Sequence, residues 1–238
     1  MMGNADLYFL GDLHGNFKAL KQLIKKQKLT KAYIIQVGDF GVGYQCFLDD
    51  LAAIEKLNRV LEKAHIYLYV LRGNHDNPDY FETTFPGPLD QSNINFVPDY
   101  SVLKINKTRI LLVGGATSID RKEQEDGVNY WEEEVLNYNE GKLRRMRNID
   151  VVVTHSAPDF APPYHFSELV KSFAQNDATL LDDLREERAS LSKMYACLKQ
   201  EPSNKLSHWF YGHFHSPNQM RHEDTEMVLV GANELVKF

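Results

Sequence analysis

The sequence has few cysteines, no excess of basic charge and no long apolar run. Only two cysteines, Cys46 and Cys197, occur among 238 residues, without CxxC spacing, so neither a disulfide framework nor a thiolate zinc site is indicated. Lys and Arg number 27 against 33 Asp and Glu, a net charge of −6. This balance gives no strong nucleic-acid signal, because nucleic-acid binders carry a basic patch.

No stretch approaches the roughly 18 apolar residues of a membrane-spanning helix, and the first residues lack the basic start of a signal peptide. We therefore expect a cytoplasmic protein without a membrane partner, whose oligomeric state the composition does not indicate.

The first half of the chain alternates between apolar strands and amphipathic helices. Strands are predicted at residues 7–10, 33–37 and 66–71, and the segments between them carry apolar residues at helical spacing. Strands separated by helices of this length pair in parallel through crossover connections. This pattern predicts the start of an α/β fold.

The second half adds strands of a different kind. Residues 100–105 and 109–113 flank the dipeptide Asn106-Lys107 and predict an antiparallel hairpin. Further strands are predicted at 151–154, at 208–211 and, as the last strand, at 227–230. Parallel and antiparallel strands together predict two mixed β-sheets flanked by helices, and a length of 238 residues fits a single domain over 1–238.

Residues 156–207 form the main helical insertion. They begin with a proline-rich loop and continue with apolar residues at helical spacing, namely Leu180, Leu184, Leu191, Met194, Tyr195 and Leu198. The stripe predicts an outer helix that covers a sheet. A lid or an oligomer contact is the alternative.

Five predicted strands each end on Asp, Asn or His. The polar side chains that follow these strands are Asp12, His14, Asp39, Asn74, His155, His213 and His215. In open α/β sheets, ligands bind outside the carboxyl ends of the strands, so these groups can meet at one rim. Imidazole, carboxylate and amide ligands without thiolate suit manganese, iron, zinc, cobalt or nickel. Seven ligands exceed what one such ion takes, so we expect two ions that share one carboxylate.

The order of these blocks, D-x-H, GD, GNHD, an isolated His and GHxH, resembles the calcineurin-like metallophosphoesterase family from Asp12 to His215. The resemblance implies a four-layer sandwich and two bound metal ions, with manganese as the first choice and iron, zinc, nickel or cobalt as alternatives. The family pattern makes Asp12, His14 and His215 ligands of the first metal, Asp39 the bridging ligand, and Asn74, His155 and His213 ligands of the second metal. It also implies a metal-bridging hydroxide as nucleophile, with His75 as the acid at the leaving group.

The sequence departs from the protein phosphatases of that superfamily in the block after Asp39. Those enzymes extend it to GDxxDRG, whereas Val42 and Gly43 stand here in place of Asp and Arg. A protein Ser/Thr phosphatase is therefore not expected. Asp76 is a candidate catalytic residue that orients His75, although its side chain can equally cap the following turn. Arg72 is a candidate for contacting phosphate, with a surface ion pair as the alternative.

The predicted function is hydrolysis of a phosphomonoester or phosphodiester, with a small-molecule or nucleotide substrate. A metal-dependent nuclease is the second enzymatic hypothesis. A nuclease would need a basic surface, and the only dense basic cluster of the sequence is Arg144–Arg147. The third reading is a non-catalytic protein-binding scaffold of the same fold, which the presence of every ligand and of His75 disfavours. Arg121, Tyr164 and His165 are further candidates for lining the site.

Overall fold

The computed structural model describes residues 5–81 and 87–238, in which the chain forms two β-sheets and five α-helices. The strands are β1 Asp6–Leu10, β2 Ala32–Gln36, β3 Ile66–Val70, β4 Ile94–Phe96, β5 Ser101–Ile105, β6 Thr108–Val113, β7 Val151–Thr154, β8 His208–Tyr211, β9 Asn218–His222, β10 Thr225–Leu229 and β11 Leu235–Lys237. The helices are α1 Phe17–Gln27, α2 Phe47–Ala64, α3 Glu140–Leu143, α4 Glu168–Phe173 and α5 Leu180–Lys199. Short 3₁₀ turns lie at Pro78–Phe81, Arg121–Glu123 and Glu132–Glu134.

The first sheet has the strand order β11-β1-β2-β3-β4. Its strands β1, β2, β3 and β4 run parallel, and β11 pairs antiparallel with β1. Helix α1 begins where the side chain of Asn16 accepts a hydrogen bond from the N–H of Ala19, and it buries Leu20 and Ile24 against the sheet. Helix α2 packs Leu57 on the same face. The alternating strands and helices predicted for this half are confirmed.

The second sheet has the strand order β5-β6-β7-β8-β10-β9. The predicted hairpin is present, since β5 and β6 pair antiparallel, whereas β6, β7, β8 and β10 run parallel. The two sheets pack face to face through a buried apolar layer, in which the rings of Phe9 and Phe210 stack with centroids 3.6 Å apart. Two mixed sheets with helices outside them are therefore confirmed.

Helix α5 covers the outer face of the second sheet. The stripe predicted within residues 156–207 is buried along α5, where Leu191, Met194 and Leu198 pack in one cluster with Leu111 and Trp209 of the sheet. The reading of this stripe as an outer helix is thus confirmed. None of the described helices is long and apolar enough to cross a membrane.

Three short strands were absent from the prediction, and the strand predicted as the last is not the last. The segment at 227–230 corresponds to β10, which is followed by β11 on the other sheet. Strands β4 and β11 have only three residues, too few to show a period of two. Strand β9 is an exposed edge strand of mostly polar residues, so its pairing with β10 left no apolar signal.

Candidate metal centre

Both sheets deliver the candidate ligands to the same rim. Asp12 and His14 follow β1, Asp39 follows β2 and Asn74 follows β3, while His155 follows β7 and His213 and His215 follow β8. All five of these strands present their carboxyl ends there, because β1 to β3 are parallel in one sheet and β7 and β8 in the other. The polar groups therefore meet at the seam between the two sheets.

The ligand atoms form two groups that share Asp39. Asp12, His14, Asp39 and His215 each offer one donor atom within 4.8 Å of the others, and Asp39, His155 and His213 do the same. The two carboxylate oxygens of Asp39 face different groups: Oδ2 lies 3.7 Å from His14 Nε2, and Oδ1 lies 3.1 Å from His155 Nε2. This division of oxygens is the geometry that a bridging carboxylate requires.

Asn74 joins the second group through its amide oxygen. Asn74 Oδ1 lies 3.1 Å from His155 Nε2, and its amide nitrogen donates to Ser118 Oγ at 2.9 Å. The Ser118 N–H in turn donates to the buried carboxylate of Glu134 at 2.8 Å. Ser118 therefore fixes which end of the Asn74 amide faces the centre. Neither was predicted, because Ser118 lies in a loop and Glu134 in a short 3₁₀ turn, and neither segment has a recognisable motif.

His155 is held in one orientation by the backbone. Its Nδ1 lies 2.9 Å from the carbonyl oxygen of Val37, to which an N–H at that position donates, and this leaves Nε2 towards Asp39. Such a contact at the non-ligating nitrogen is how proteins set the tautomer of a metal-binding histidine. Gly38 makes the contact sterically feasible, since a Cβ there would lie 2.2 Å from His155 Nδ1.

Four of the seven candidate ligands have left-handed backbone conformations. His14, Asp39, His213 and His215 have φ values of 46°, 57°, 67° and 60°. Non-glycine residues rarely adopt this region, and such strain concentrates at functional sites. The strand ends thus turn sharply at the residues whose side chains must converge.

The charge environment favours a cation between these side chains. Burial alone would raise the pKa of Asp39, but the neighbouring His155 imidazole outweighs it and holds the pKa of Asp39 far below its usual range. Burial would lower the pKa of His155, but the negative charge of Asp39 outweighs this effect, so the pKa of His155 is raised overall. Burial, followed by the charge of His155, lowers the pKa of His213 to about 3, so this imidazole stays neutral and can ligate. Carboxylates, imidazoles and an amide oxygen form a donor set that fits first-row divalent metals, and a bound ion would take the place of the proton that Asp39 favours on His155.

The sequence matches the family model described as calcineurin-like phosphoesterase over residues 6–217, which include all the candidate ligands. The chain belongs to the calcineurin-like phosphoesterase family. The fold of this family accounts for the two mixed sheets and the shared rim.

Solved structures show the same fold at low sequence identity. The protein TT1561 of Thermus thermophilus is 12% identical with a TM-score of 0.54, and the match covers 96% of this chain and 90% of that one. The phosphopantetheinyl hydrolase PptH from Mycobacterium tuberculosis is 14% identical with a TM-score of 0.50 over 96% and 90% of the two chains. A putative 5'-nucleotidase from Staphylococcus aureus is 15% identical with a TM-score of 0.52 over 97% and 49%. No curated protein sequence matches this chain. At these identities the likeness carries the fold alone.

His75 lies beside the candidate metal centre and belongs to neither ligand group. Its ring lies 5.2 Å from the ring of His14, and its backbone N–H donates to Asp39 Oδ1 at 2.8 Å. The Tyr44 hydroxyl lies 2.6 Å from His75 Nδ1, and the Tyr44 ring packs edge-on against Trp131. Tyr44 was not predicted, because the sequence was compared with the GDxxDRG block of the protein phosphatases, in which position 42 is Asp, whereas the buried Val42 belongs to the core here.

Asp76 holds two loops together rather than contacting the imidazole of His75. Its carboxylate accepts hydrogen bonds from the backbone N–H groups of Phe40, Gly41, Val42 and Gly73. These bonds tie the loop of Asp39 to the loop of Asn74. Neither of the two roles considered for Asp76 describes this arrangement, because the four contacts go to the loop of Asp39 and to the preceding Gly73, and not to the His75 imidazole or to the turn after Asp76.

We expect Asp76→Ala to lower the free energy of unfolding by about 3 kcal/mol or more, since each buried donor left unpaired costs about 1–3 kcal/mol. Equilibrium unfolding in urea measures this loss. Asp79→Ala, an exposed aspartate in the next turn, is the matched control and should change stability by less than about 0.5 kcal/mol. Equal stability of the two variants would show that the four contacts of Asp76 do not stabilise the loops.

Arg72, a candidate for phosphate contact, and Arg121, a candidate for lining the site, are both engaged elsewhere. Arg72 is buried, pairs with Asp99 at 2.9 Å and donates to the carbonyl oxygens of residues 133–135. Arg121 pairs with Asp177 and Asp183. The placement of Arg72 thus does not support a catalytic role, since its donors hold the 3₁₀ turn at Glu132–Glu134. Of the other candidates, His165 lines the cavity next to the centre.

Proposed function

We propose that this protein is a dinuclear metal-dependent phosphoesterase that hydrolyses a phosphomonoester or phosphodiester of a small molecule or nucleotide. The observation that carries the proposal is the pair of ligand groups that share Asp39, one on each carboxylate oxygen. Residues that hold two metals side by side are typical of enzymes that clamp the oxygens of an in-line phosphoryl displacement.

Each metal would have its own set of protein ligands. Asp12, His14 and His215 would hold the first ion, Asn74, His155 and His213 the second, and Asp39 both. When bound, such ions lower the pKa of a coordinated water towards about 7 and neutralise charge on the phosphate. The donor atoms suit manganese as well as iron, zinc, nickel or cobalt.

His75 would supply the proton to the leaving group. It borders the cavity at the metal centre, and Tyr44 holds its Nδ1. Burial, and next the charge of Asp39, raises the pKa of Tyr44 well above its usual value, so its phenol stays protonated and its hydroxyl oxygen can accept the Nδ1–H of the His75 imidazolium. The imidazolium then presents its Nε2–H to the leaving group and becomes neutral imidazole when this proton is transferred. Tyr44 therefore acts as a positioning residue for the imidazole of His75.

We expect Tyr44→Phe to lower kcat about tenfold with little change in KM, because the ring packing on Trp131 stays and only one hydrogen bond is lost. The loss should be larger for esters of alkyl alcohols than for nitrophenyl esters, whose leaving groups need less protonation. Steady-state kinetics on both ester types measures the split. An equal loss on both types, or a change in KM alone, would contradict positioning of the acid.

The charge of the lining favours a reacting phosphate with a single negative charge. Arg188 is the one Lys or Arg residue that lines the cavity within the described part of the chain. Its guanidinium donates to the carbonyl oxygens of Ala157, Pro158, Ala161 and Pro163 and is thereby occupied. With no free cation to bind a dianion among the described lining residues, phosphodiesters are the preferred substrates within the proposal.

The test is a turnover panel of phosphomonoesters and phosphodiesters with Mn²⁺, Fe²⁺, Zn²⁺, Ni²⁺ and Mg²⁺, with His75→Ala as the control variant. We expect hydrolysis that requires added metal and that His75→Ala nearly abolishes. Full metal binding without turnover of any ester would overturn the proposal and favour the scaffold alternative.

A further inference from the structure

A cavity of about 650 Å³ opens directly from the metal centre. One end is formed by groups of the centre, among them Asp39, His75 and His213. Volumes of this size hold drug-sized ligands, and such pockets are mostly apolar with a few polar groups that orient the ligand. The space therefore exceeds what the reacting phosphate alone needs.

The walls away from the centre are largely apolar. They include Ile119, Phe166, Leu169, Val170 and Phe173, while Phe214 lines the cavity beside the ring of His213. Three of these residues belong to α4, which lies within the segment 156–207. This segment therefore contributes one helix, α5, that covers the sheet and another, α4, that borders the cavity. The Leu169 side chain is 60% exposed although it lines the cavity. Covering this exposed leucine with an apolar ligand is favourable, because apolar surface is removed from water.

The charged groups of the walls argue against a polar or anionic ligand at that end. Arg188 is held by backbone carbonyl oxygens, and the two other charged residues away from the metal ligands are the acidic Asp120 and Glu187. A sugar in this space would face mostly apolar side chains, with hydroxyl, imidazole and amide groups, among the lining residues that the structure describes, only at Ser156, His165, Ser167, Ser216 and Asn218, and anionic groups would face the carboxylates of Asp120 and Glu187. An apolar group meets neither penalty.

We propose that the cavity binds the alcohol portion of the substrate and that this portion is a hydrocarbon chain or ring. The substrate class is then a phosphoester of a lipophilic alcohol. This inference rests on the proposed function for the reacting phosphate, while the apolar subsite rests on the cavity walls themselves. His75 borders the cavity, so an alcohol bound there lies on the side of the acid.

The first experiment measures binding of n-alkylphosphonates, from ethyl to decyl, to the Mn²⁺-loaded protein by calorimetry below their micelle concentrations. Their P–C bond is not a phosphoester, so binding is separated from turnover. We expect affinity to rise about two- to fourfold for each added methylene until the cavity is filled. An affinity independent of chain length would overturn the inference.

The second experiment compares kcat/KM across n-alkyl phosphates and n-alkyl 4-nitrophenyl phosphates of the same lengths. Hydrolysis that does not increase with chain length would overturn the apolar subsite and leave the proposed function standing. Length-dependent phosphonate binding without hydrolysis of either series would support the subsite and contradict the proposed function.

Two variants test the walls. Leu169→Asn and Phe173→Ala should each lower the decyl-to-ethyl affinity ratio by about fivefold or more, since each removes apolar area that the chain would cover. Leu48→Asn is the matched control, because Leu48 is a 70% exposed helix leucine outside the cavity lining and should leave the ratio unchanged. A ratio that falls equally in the Leu48 and Leu169 variants would assign the chain-length effect to the general surface and overturn the inference.

Discussion

Asp39→Asn is expected to remove at least one of two bound metal ions and to lower turnover by about 10²–10⁴-fold. The two oxygens of Asp39 face different ligand groups, Oδ1 towards His155 and Oδ2 towards His14. Asparagine presents one oxygen and one NH₂ group, so one group loses its shared ligand and both lose a negative charge. Loss of several kcal/mol of charge stabilisation at the reacting phosphate corresponds to this fall in rate.

The measurement pairs metal content by elemental analysis with turnover of the best ester in the panel. Asp6→Asn is the matched control, since Asp6 is the first residue of β1, the strand that precedes Asp12. The exposed ion pair of Asp6 with Lys237 contributes at most about 1 kcal/mol. This control should keep both metals and full activity. Two tightly bound metals in Asp39→Asn would contradict the bridging assignment.

The order of elements and the convergence of the ligands could be predicted from the sequence because both depend on local patterns. The apolar residues of α1 and α2 recur with a period near 3.6, which predicts helices. Parallel strands place their carboxyl ends at one edge of the sheet, independent of the length and sequence of the loops. The need for one shared carboxylate followed from the number of ligands. The prediction of strand 227–230 as the last element failed because β11 is too short for a periodic signal.

The partners of the site residues could not be predicted, because they depend on tertiary packing between distant loops. Arg72 bonds residues 27 to 63 positions away, and Asn74 reaches Ser118 across 44 positions. Tyr44 meets His75 only because the loop after β2 folds over the loop after β3, which Asp76 holds in place. The cavity beside α4 likewise arises from side chains whose spacing alone is typical of an ordinary short helix.

His75→Ala is expected to keep both metals while turnover falls by about 10²–10⁴-fold. His75 contributes no ligand atom to either group of the described residues, and the contact it makes with Asp39 comes from its backbone N–H, which alanine retains. The loss should be greatest for alkyl esters, whose leaving groups require a proton, and smallest for 4-nitrophenyl esters. His222→Ala is the control, since His222 stacks on Phe160 and lies edge-on to Tyr195 outside the cavity lining.

Metal content and the leaving-group dependence of kcat together separate the alternatives for His75. If His75 were a ligand, its removal would lower the metal content as Asp39→Asn does. If it only filled space at the cavity, the loss would appear in KM and would not depend on the leaving group. Unchanged turnover of alkyl esters would contradict its role as the acid. Retained metal with a leaving-group-dependent fall in kcat is the outcome that proton donation by His75 predicts, because loss of a ligand would lower the metal content and loss of a space-filling side chain would not depend on the leaving group.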